Sequence, residues 1–437
     1  MVMMLLYGSV MCAQTDTTKL MRLSLSEAQQ YALEHNYTLK NASLDVQKAE
    51  AARWESISSM LPQLTGSFDY SNMLGYEMNM NGFSIPMNPN GTYGLTAAVA
   101  LTGAQVVGAM LSKVSLDMAN ISRRQSIQTI YSNVKNIYVS ILAMEETVGL
   151  LDSSLANVER LEKTTQDAVR VGAAEQIDAD KLSVQVASLR NSILSTRRAL
   201  QMLYNSMLLQ LGAGVDTELE LTTPVSELLN IENCTQMLSR GFDINNNFNY
   251  QTLQQGEKAA KQQVTLAWMN YTPTVSVYYQ YSKRTYFGKE EGFNMTPPQM
   301  LGAQVSLPLW KSGSRIASVK QAKVSYQETL NSKQQAEDGL RIQYQQLSYD
   351  LISALESYQV QSKNLDVSKR VFDNLTEKYK YGRATSLEIT NASTDIITAQ
   401  SNYIEAVMNV ISSQIALENL LSEEQYDNVV LPGEKEK

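Results

Sequence analysis

Four short segments of this chain alternate between more apolar and more polar residues. They predict strands at about 63–72, 92–102, 274–286 and 300–310. An alternation with a period of two is typical of a strand with one apolar and one wet face. Ten residues at about 3.3 Å each extend roughly 33 Å, which is enough to cross the hydrocarbon core of a bilayer.

A different period marks the segment that follows each pair of strands. Between residues 127 and 158 the apolar positions are spaced three and four apart, which predicts the seam of a coiled coil. The pattern recurs in the second half of the chain, and neither stretch contains proline. We therefore expect long helices over about 104–171 and 313–381, each roughly 100 Å long at 1.5 Å per residue. Gly172 and Gly382 are expected to end them as C-cap glycines.

Shorter helical patterns flank these long helices. They predict helices over about 25–61 and 175–211 in the first half, and over about 236–270 and 385–421 in the second. Each short helix is about half as long as the long one. The economical arrangement therefore stacks two short helices end to end beside each long helix.

The two halves of the chain are copies of one another. LPQLTGSFDYS (61–71) aligns with TPTVSVYYQYS (272–282), and RVGAAEQID (170–178) aligns with KYGRATSLE (380–388), both at an offset near 211 residues. Such self-similarity indicates a duplicated structural unit. The predicted organisation is a signal peptide at 1–13, a first repeat at 23–212, a linker at 213–235, a second repeat at 236–422 and a C-terminal tail at 423–437.

Residues 1–13 (MVMMLLYGSVMCA) form a short apolar run before a polar segment and are expected to be a signal peptide. The positively charged start is missing, so cleavage after Ala13 and lipidation of Cys12 both stay open. No later segment offers the roughly 18 apolar residues of a spanning helix. An exported chain of this kind is secreted, periplasmic or in the outer membrane.

Composition argues against several functional classes. The 437 residues carry a net charge of −8, whereas nucleic-acid binding needs a basic face. His35 is the one histidine, and Cys234 is the one cysteine beyond Cys12, so we expect no metal site and no cofactor. No nucleophile elbow, P-loop or dinucleotide motif occurs, and we expect no catalytic residues and no enzyme activity.

Four strands are too few to close a barrel, and open sheet edges do not occur in lipid. Either the sheet is soluble, or several copies of the chain share one barrel. The order of the parts, the strand pairs that follow proline and the two turn segments (170–182 and 380–392) together resemble the TolC family of outer-membrane efflux ducts. The resemblance covers about 23–421. It implies a mainly helical fold in which three chains share a 12-stranded β-barrel and a 12-helix coiled-coil tunnel, with an equatorial belt around 213–235.

The resemblance also implies roles for residues near the two helix turns. The turns themselves, at Gly172 and at Gly382 with Arg383, correspond to the periplasmic tip of the closed duct. Asp178 matches a family acid that ties the first helical hairpin to the second, and Tyr379 matches its tyrosine partner. An Asp178–Tyr379 hydrogen bond is therefore expected to hold the tip shut.

Two further positions correspond to the narrowest ring of the family's pore. Glu388 matches one acid of that ring, whereas Asn391 stands where the family has a second acid. Three copies of Glu388 around one axis would attract cations, and the neutral Asn391 weakens that expectation. The family's constraining arginine aligns with Ala384, and Arg383 lies one place away.

By resemblance the chain is a passive exit duct of the outer membrane, with its helical tunnel in the periplasm. Its implied partners are two further copies of itself, outer-membrane lipid, a periplasmic adaptor (membrane fusion) protein and an inner-membrane transporter of the resistance-nodulation-division or ABC type. It would serve efflux or type I secretion. The alternative is a soluble periplasmic coiled-coil adaptor or scaffold, whose strands need no lipid-facing side.

Overall fold

The computed structural model describes residues 20–80, 82–172, 174–287, 297–424 and 426. The predicted signal peptide at 1–13, with Cys12, lies outside the described residues, as does most of the predicted tail at 423–437.

The chain is mainly helical with a small sheet, and the predicted fold class is confirmed. The helices are α1 (Leu25–His35), α2 (Tyr37–Ser58), α3 (Gly103–Arg170), α4 (Gln176–Leu211), α5 (Val225–Leu228), α6 (Ile231–Ser239), α7 (Phe248–Met269), α8 (Ser314–Lys380) and α9 (Ser386–Leu421). The strands are β1 (Leu20–Leu23), β2 (Gln63–Ser71), β3 (Glu77–Met80), β4 (Phe83–Pro86), β5 (Asn90–Leu101), β6 (Glu218–Leu221), β7 (Thr274–Tyr286) and β8 (Gln299–Ser306).

The helices repeat in length as well as in order. The long helices α3 and α8 contain 68 and 67 residues, and α4 and α9 contain 36 each. Helices α2 and α7 contain 22 residues each. The duplication visible in the sequence is therefore a duplication of helical elements.

The sequence predicts one opening helix over about 25–61, whereas the structure has α1 and α2 with a break at Asn36. This residue has an extended backbone, with ψ of 128°. Its Oδ1 accepts hydrogen bonds from the backbone N–H groups of Thr38 at 2.8 Å and Leu39 at 3.3 Å. Its Nδ2 donates to the carbonyl oxygen of Gln210 at 2.6 Å, at the end of α4. Asn36 is thus an N-cap, because its side chain satisfies amides that the start of a helix leaves free.

The helix expected over about 236–270 is also divided, into α6 and α7. Asn247 caps α7 by accepting from the backbone N–H of Tyr250 at 3.2 Å. Helix α6 begins at Ile231, inside the stretch predicted as the linker 213–235. Asn36 and Asn247 are 211 positions apart, so the same cap recurs at the offset of the repeat.

Strands β2, β5, β7 and β8 form one antiparallel sheet in that order. The second strand of the first repeat therefore pairs with the first strand of the second repeat, over Asn90–Leu101 and Val275–Tyr286. Among the described strands, β2 and β8 each have one unpaired edge in this sheet.

Two smaller pairings accompany this sheet. Strand β6, within the predicted linker 213–235, pairs in parallel with β1. Arg22 Nε lies 2.7 Å from Glu220 Oε2 across that pair. Strands β3 and β4 form a separate antiparallel hairpin between β2 and β5.

The chain divides into two compact units. We call the first the helical unit; it comprises the described residues of Met1–Lys40, Ser126–Asp243 and Arg341–Lys437. The second, the sheet unit, comprises those of Asn41–Gln125 and Ile244–Leu340.

The predicted coiled-coil seam forms the core of the helical unit. Ile127, Val134 and Ile141 of α3 are fully buried, together with Tyr138 and Leu211. A second group of buried side chains joins α8, α9 and α6, and it includes Leu351, Val410, Leu417 and Cys234.

Candidate functional site: the helix turns and the face of the sheet

Both helix turns of the helical unit have the glycine geometry that the sequence predicts. Gly172 has a φ of 74° and Gly382 a φ of 65°, a region that favours glycine. The Gly382 N–H donates to the carbonyl oxygen of Tyr379 at 2.9 Å, and the Arg383 N–H donates to that of Lys378 at 2.9 Å. This pair of bonds is a Schellman motif, which satisfies carbonyls that the end of α8 would otherwise leave unpaired.

Glu388, which the sequence also allowed as an ordinary acid in the first turn of a helix, forms a capping box at the start of α9. Its Oε2 accepts hydrogen bonds from the backbone N–H of Thr385 at 2.7 Å and from the Thr385 hydroxyl at 2.9 Å. The Thr385 hydroxyl accepts in turn from the Glu388 N–H at 3.2 Å. The spacing Thr-x-x-Glu was a readable signal, because it is the pattern of a capping box. The bonds from Thr385 lower the pKa of the Glu388 carboxyl below its usual value.

Asn391 lies three residues after Glu388 and is also exposed. Positions three apart on a helix share a face. The structure therefore places the two residues predicted for the pore ring on one exposed side of α9. Arg383 is exposed in the preceding turn, whereas Ala384 is half-buried.

The expected bond between Asp178 and Tyr379 is not found among the described residues of this chain. The hydroxyl of Tyr379 lies 2.8 Å from Thr165 Oγ1, and Thr165 is only 1% exposed. Asp178, in the first turn of α4, has Lys181 Nζ at 3.7 Å instead. Tyr379 does link the second hairpin to the first, but its partner is a buried hydroxyl of α3 that no spacing in the sequence indicated.

A cleft of about 450 Å³ lies beside Tyr379, between the α3–α4 hairpin and the α8–α9 hairpin. Its walls are mixed: Leu161, Leu182 and Ile389 are apolar, while Arg160 and Glu377 carry opposite charges. The two hairpins are therefore incompletely packed against each other near their turns.

In the sheet unit, the register brings the four predicted apolar faces onto one side. Residues that pair directly across antiparallel strands point to the same face of the sheet. One row across all four strands consists of Leu64, Ala97, Tyr279 and Leu301. The opposite face carries the row of Thr65, Thr96 and Gln280, which Met300 completes on β8.

The apolar face is the more exposed of the two. Leu64 is 75% exposed and Leu301 is 76% exposed. Along β7 the apolar Val277 and Tyr279 are exposed, whereas Ser276 and Gln280 on the opposite face are half-buried. A soluble sheet shows the opposite pattern, with its apolar face against a core. The exposure of this face therefore argues against the soluble-sheet alternative.

The described part of the chain contains neither a membrane-spanning helix nor a cluster of metal-binding side chains. No helix there is both long and apolar enough to span a membrane. Across the same residues, no group of three or more His, Cys, Asp or Glu side chains is arranged to hold a metal ion.

Residues 244–423 match the family model described as outer membrane efflux protein. This segment is similar to an outer membrane efflux protein domain. The match covers the second repeat, from the turn before α7 to the end of α9, and it confirms the family resemblance inferred from the sequence. A comparison with curated protein sequences gave no match.

Over 91% of its length, the chain shares its fold with solved structures of outer-membrane and channel proteins. CusC, whose crystal structures concern folding and transmembrane channel formation, is 17% identical, with a TM-score of 0.75 over 91% of each chain. VceC of Vibrio cholerae is 16% identical, with a TM-score of 0.74 over 91% of this chain and 96% of that one. The Campylobacter jejuni CmeC outer membrane channel is 14% identical, with a TM-score of 0.74 over 91% and 85%.

These similarities extend the efflux-protein fold to the first repeat, which the family model does not cover. The description of the efflux family agrees with the predicted location in the outer membrane and with a role in transport.

Proposed function

We propose that this chain is one of three identical subunits of an outer-membrane exit duct. In this proposal the apolar face of the sheet contacts lipid, and the helical unit lines a periplasmic passage. The single observation that carries the proposal is the exposed apolar face on a sheet with two open edges. Lipid is the environment that such a face favours, and the unpaired edges of β2 and β8 need partners there.

Three copies supply those partners most simply. Pairing β8 of one chain with β2 of the next would close twelve strands into a barrel, since each chain brings four. The polar row of Thr65, Thr96 and Gln280 would then face the water-filled interior. In a soluble adaptor or scaffold, the apolar face of a sheet would be packed against a core. The exposed apolar face therefore disfavours that alternative.

We further propose that the duct is passive and works in a tripartite efflux or type I secretion assembly. A periplasmic adaptor protein would join it to an inner-membrane transporter of the resistance-nodulation-division or ABC type, and that transporter would supply the energy. The family description supports efflux.

The helix turns at Gly172 and Gly382 are proposed as the closed periplasmic tip. Tyr379 and Thr165 would help hold the two hairpins together there, because their hydrogen bond joins α8 to α3. Glu388 and Asn391 would face the constriction, with Glu388 contributing three carboxylates to the trimer. The incompletely packed cleft beside Tyr379 leaves room for the hairpins to rearrange on opening.

The main proposal is tested by extracting the protein from membranes with detergent. We expect a trimer that stays assembled during electrophoresis until the sample is boiled. Its apparent mass before boiling should be lower than three times the mass of the unfolded subunit. The same trimer should form channels in planar lipid bilayers. A monomer recovered from the aqueous fraction, with no conductance, would contradict the proposal.

A further inference from the structure

The strands of the second repeat are flanked along the chain by basic residues whose sequence neighbours include no acid. Residues 297–327 contain no aspartate or glutamate, and the same is true of 258–287. The turn after β8 and the start of α8 carry four cations, which we call the basic rim: Lys311, Arg315, Lys320 and Lys323. In a chain with a net charge of −8, this concentration of positive charge stands apart.

The basic rim is interleaved with aromatic side chains. The Arg315 guanidinium lies 5.1 Å from the ring centre of Tyr271, and Lys323 Nζ lies 5.7 Å from that of Trp268. The rings of Trp268 and Tyr271 are 5.5 Å apart. Trp310, next to Lys311, is 85% exposed. Tryptophan and tyrosine concentrate at the level of lipid headgroups, because their rings are apolar and their tips are polar.

The cations of the basic rim are not neutralised by neighbouring carboxylates. Within the described residues, none of the four lies within 4 Å of a carboxylate, whereas Lys333 further along α8 pairs with Glu257 at 2.7 Å. Lys311, Lys320 and Lys323 are exposed, and Arg315 is half-buried. A cation that is stacked on a ring and has no acid partner remains free to bind an external anion.

The first repeat lacks this arrangement. The corresponding start of α3, over 103–120, carries one cation and one acid, Lys113 and Asp117. The duplication alone therefore does not account for the basic rim, and a function specific to the second repeat would.

We propose that the basic rim binds the phosphate headgroups of anionic phospholipids. The inference rests on the proposed membrane location of the sheet. Trp268 and Tyr271 precede β7, and Trp310 follows β8, so the rim borders the apolar face at the end where the chain enters the strands from α7 and leaves them for α8. Acyl chains would contact the apolar face while Lys311, Arg315 and Lys323 contact the phosphate.

The experiment compares lipid retention by native mass spectrometry on the delipidated full-length trimer. The protein is exposed to phosphatidylglycerol or phosphatidylcholine with identical acyl chains. We expect the wild type to retain at least about tenfold more phosphatidylglycerol, since each cation near an anionic surface contributes roughly fivefold. The variant Lys311→Gln, Arg315→Gln, Lys323→Gln should lose that preference.

A control variant changes the same number of charges elsewhere on α8: Lys363→Gln, Lys369→Gln, Arg370→Gln. It should retain phosphatidylglycerol as the wild type does. Equal retention of the two lipids by the wild type would overturn the proposal, as would an unchanged preference in the basic-rim variant. Displacement of the lipid by an equal concentration of inorganic phosphate would also overturn it, because the site would then recognise the free anion.

Channel formation in planar bilayers is recorded for the same preparations. A wild type that conducts but shows no lipid preference would refute the basic-rim proposal alone. A wild type that neither inserts nor conducts would refute the proposed duct.

Discussion

Tyr379 is bonded to Thr165 on α3, while the family resemblance implied Asp178 on α4. Both assignments join the second hairpin to the first. Substitutions at Thr165 and at Asp178 therefore distinguish them. The bond to Thr165 is largely removed from water, since Thr165 is buried, and a bond of this kind contributes about 1 kcal/mol.

Tyr379→Phe and Thr165→Val should each favour the open state of the proposed tip. The expected shift is at least about fivefold in the ratio of open to closed channels, which corresponds to about 1 kcal/mol per bond. Single-channel recording in planar bilayers measures this ratio. Because the two residues share one bond, the double variant should open little more than either single variant.

Asp178→Asn is the matched control, since its carboxylate faces Lys181 rather than Tyr379. An Asp178→Asn channel that opens as readily as Tyr379→Phe would support the family-derived pairing and contradict the pairing in the structure.

Glu388 gives the start of α9 a dependence on pH. Its pKa is lowered from 4.5 in the folded state by the bonds from Thr385. A carboxyl with a lowered folded-state pKa stabilises the structure above its unfolded pKa, and this contribution is lost as the pH falls through the folded-state value. At neutral pH the capping box is therefore complete, and below the usual glutamate range it is lost.

We expect Glu388→Ala and Thr385→Ala to speed hydrogen exchange in the first turn of α9 at neutral pH, measured by mass spectrometry against intrinsic rates. Acidification of the wild type should reproduce the effect at this turn. Asn391→Ala, one turn further on, is the control and should leave the exchange unchanged. Uniform exchange in all four samples would argue against the capping role.

At the scale of elements, the junction of α1, α2 and α4 decides where the first repeat bends. Asn36 caps α2 and bonds to the last turn of α4, while Gly212 ends α4 with a φ of 73°. A Cβ on Gly212 would lie 2.5 Å from the carbonyl oxygen of His35. The end of α4 at Gly212 therefore packs closely against the break between α1 and α2.

Asn36→Ala should destabilise the protein by about 1–2 kcal/mol, because it removes a cap and leaves buried amides without a partner. Gly212→Ala should cost more than the roughly 1 kcal/mol of glycine's conformational advantage, because the methyl group also meets the His35 backbone. Gly149→Ala, within α3 and with open space around its Cα, is the control and should be neutral or stabilising. Thermal unfolding followed by circular dichroism measures all three, and a Gly212→Ala protein as stable as the wild type would contradict the fitted junction.

At the scale of the whole molecule, the apolar face of the sheet is expected to contact lipid and the polar face to contact water. Leu95 and Thr96 are neighbours on β5 and point to opposite faces. Leu95 is 52% exposed on the apolar side, and Thr96 lies in the polar row.

Leu95→Arg should reduce the free energy of unfolding from lipid vesicles by about 2–4 kcal/mol, the cost of arginine on the lipid face of a barrel near the bilayer centre. Thr96→Arg should cost much less, because its side chain would reach the water-filled interior. Urea titrations of folding into vesicles measure both values. Equal costs at the two positions would show that the faces do not differ in environment.

Much of this architecture could be predicted from single segments of the chain. The periods of two and of 3.5 predicted the strand faces and the helical seam, and Gly172 and Gly382 predicted the ends of the long helices. These features depend on residues close in sequence, so their pattern is visible there. The capping box at Thr385 and Glu388 and the cap at Asn36 were equally local, and the sequence analysis missed them.

The sequence by itself thus determined which residues form strands and helices, which strand face is apolar, and that the unit is duplicated. Only the tertiary structure decided that β5 pairs with β7 across the two repeats, that the apolar face is exposed, and that Tyr379 meets Thr165. The physical reason is that periodicity is a property of one segment. Pairing depends instead on which of many similar strand edges and polar side chains, far apart along the chain, the packed helices bring within bonding distance.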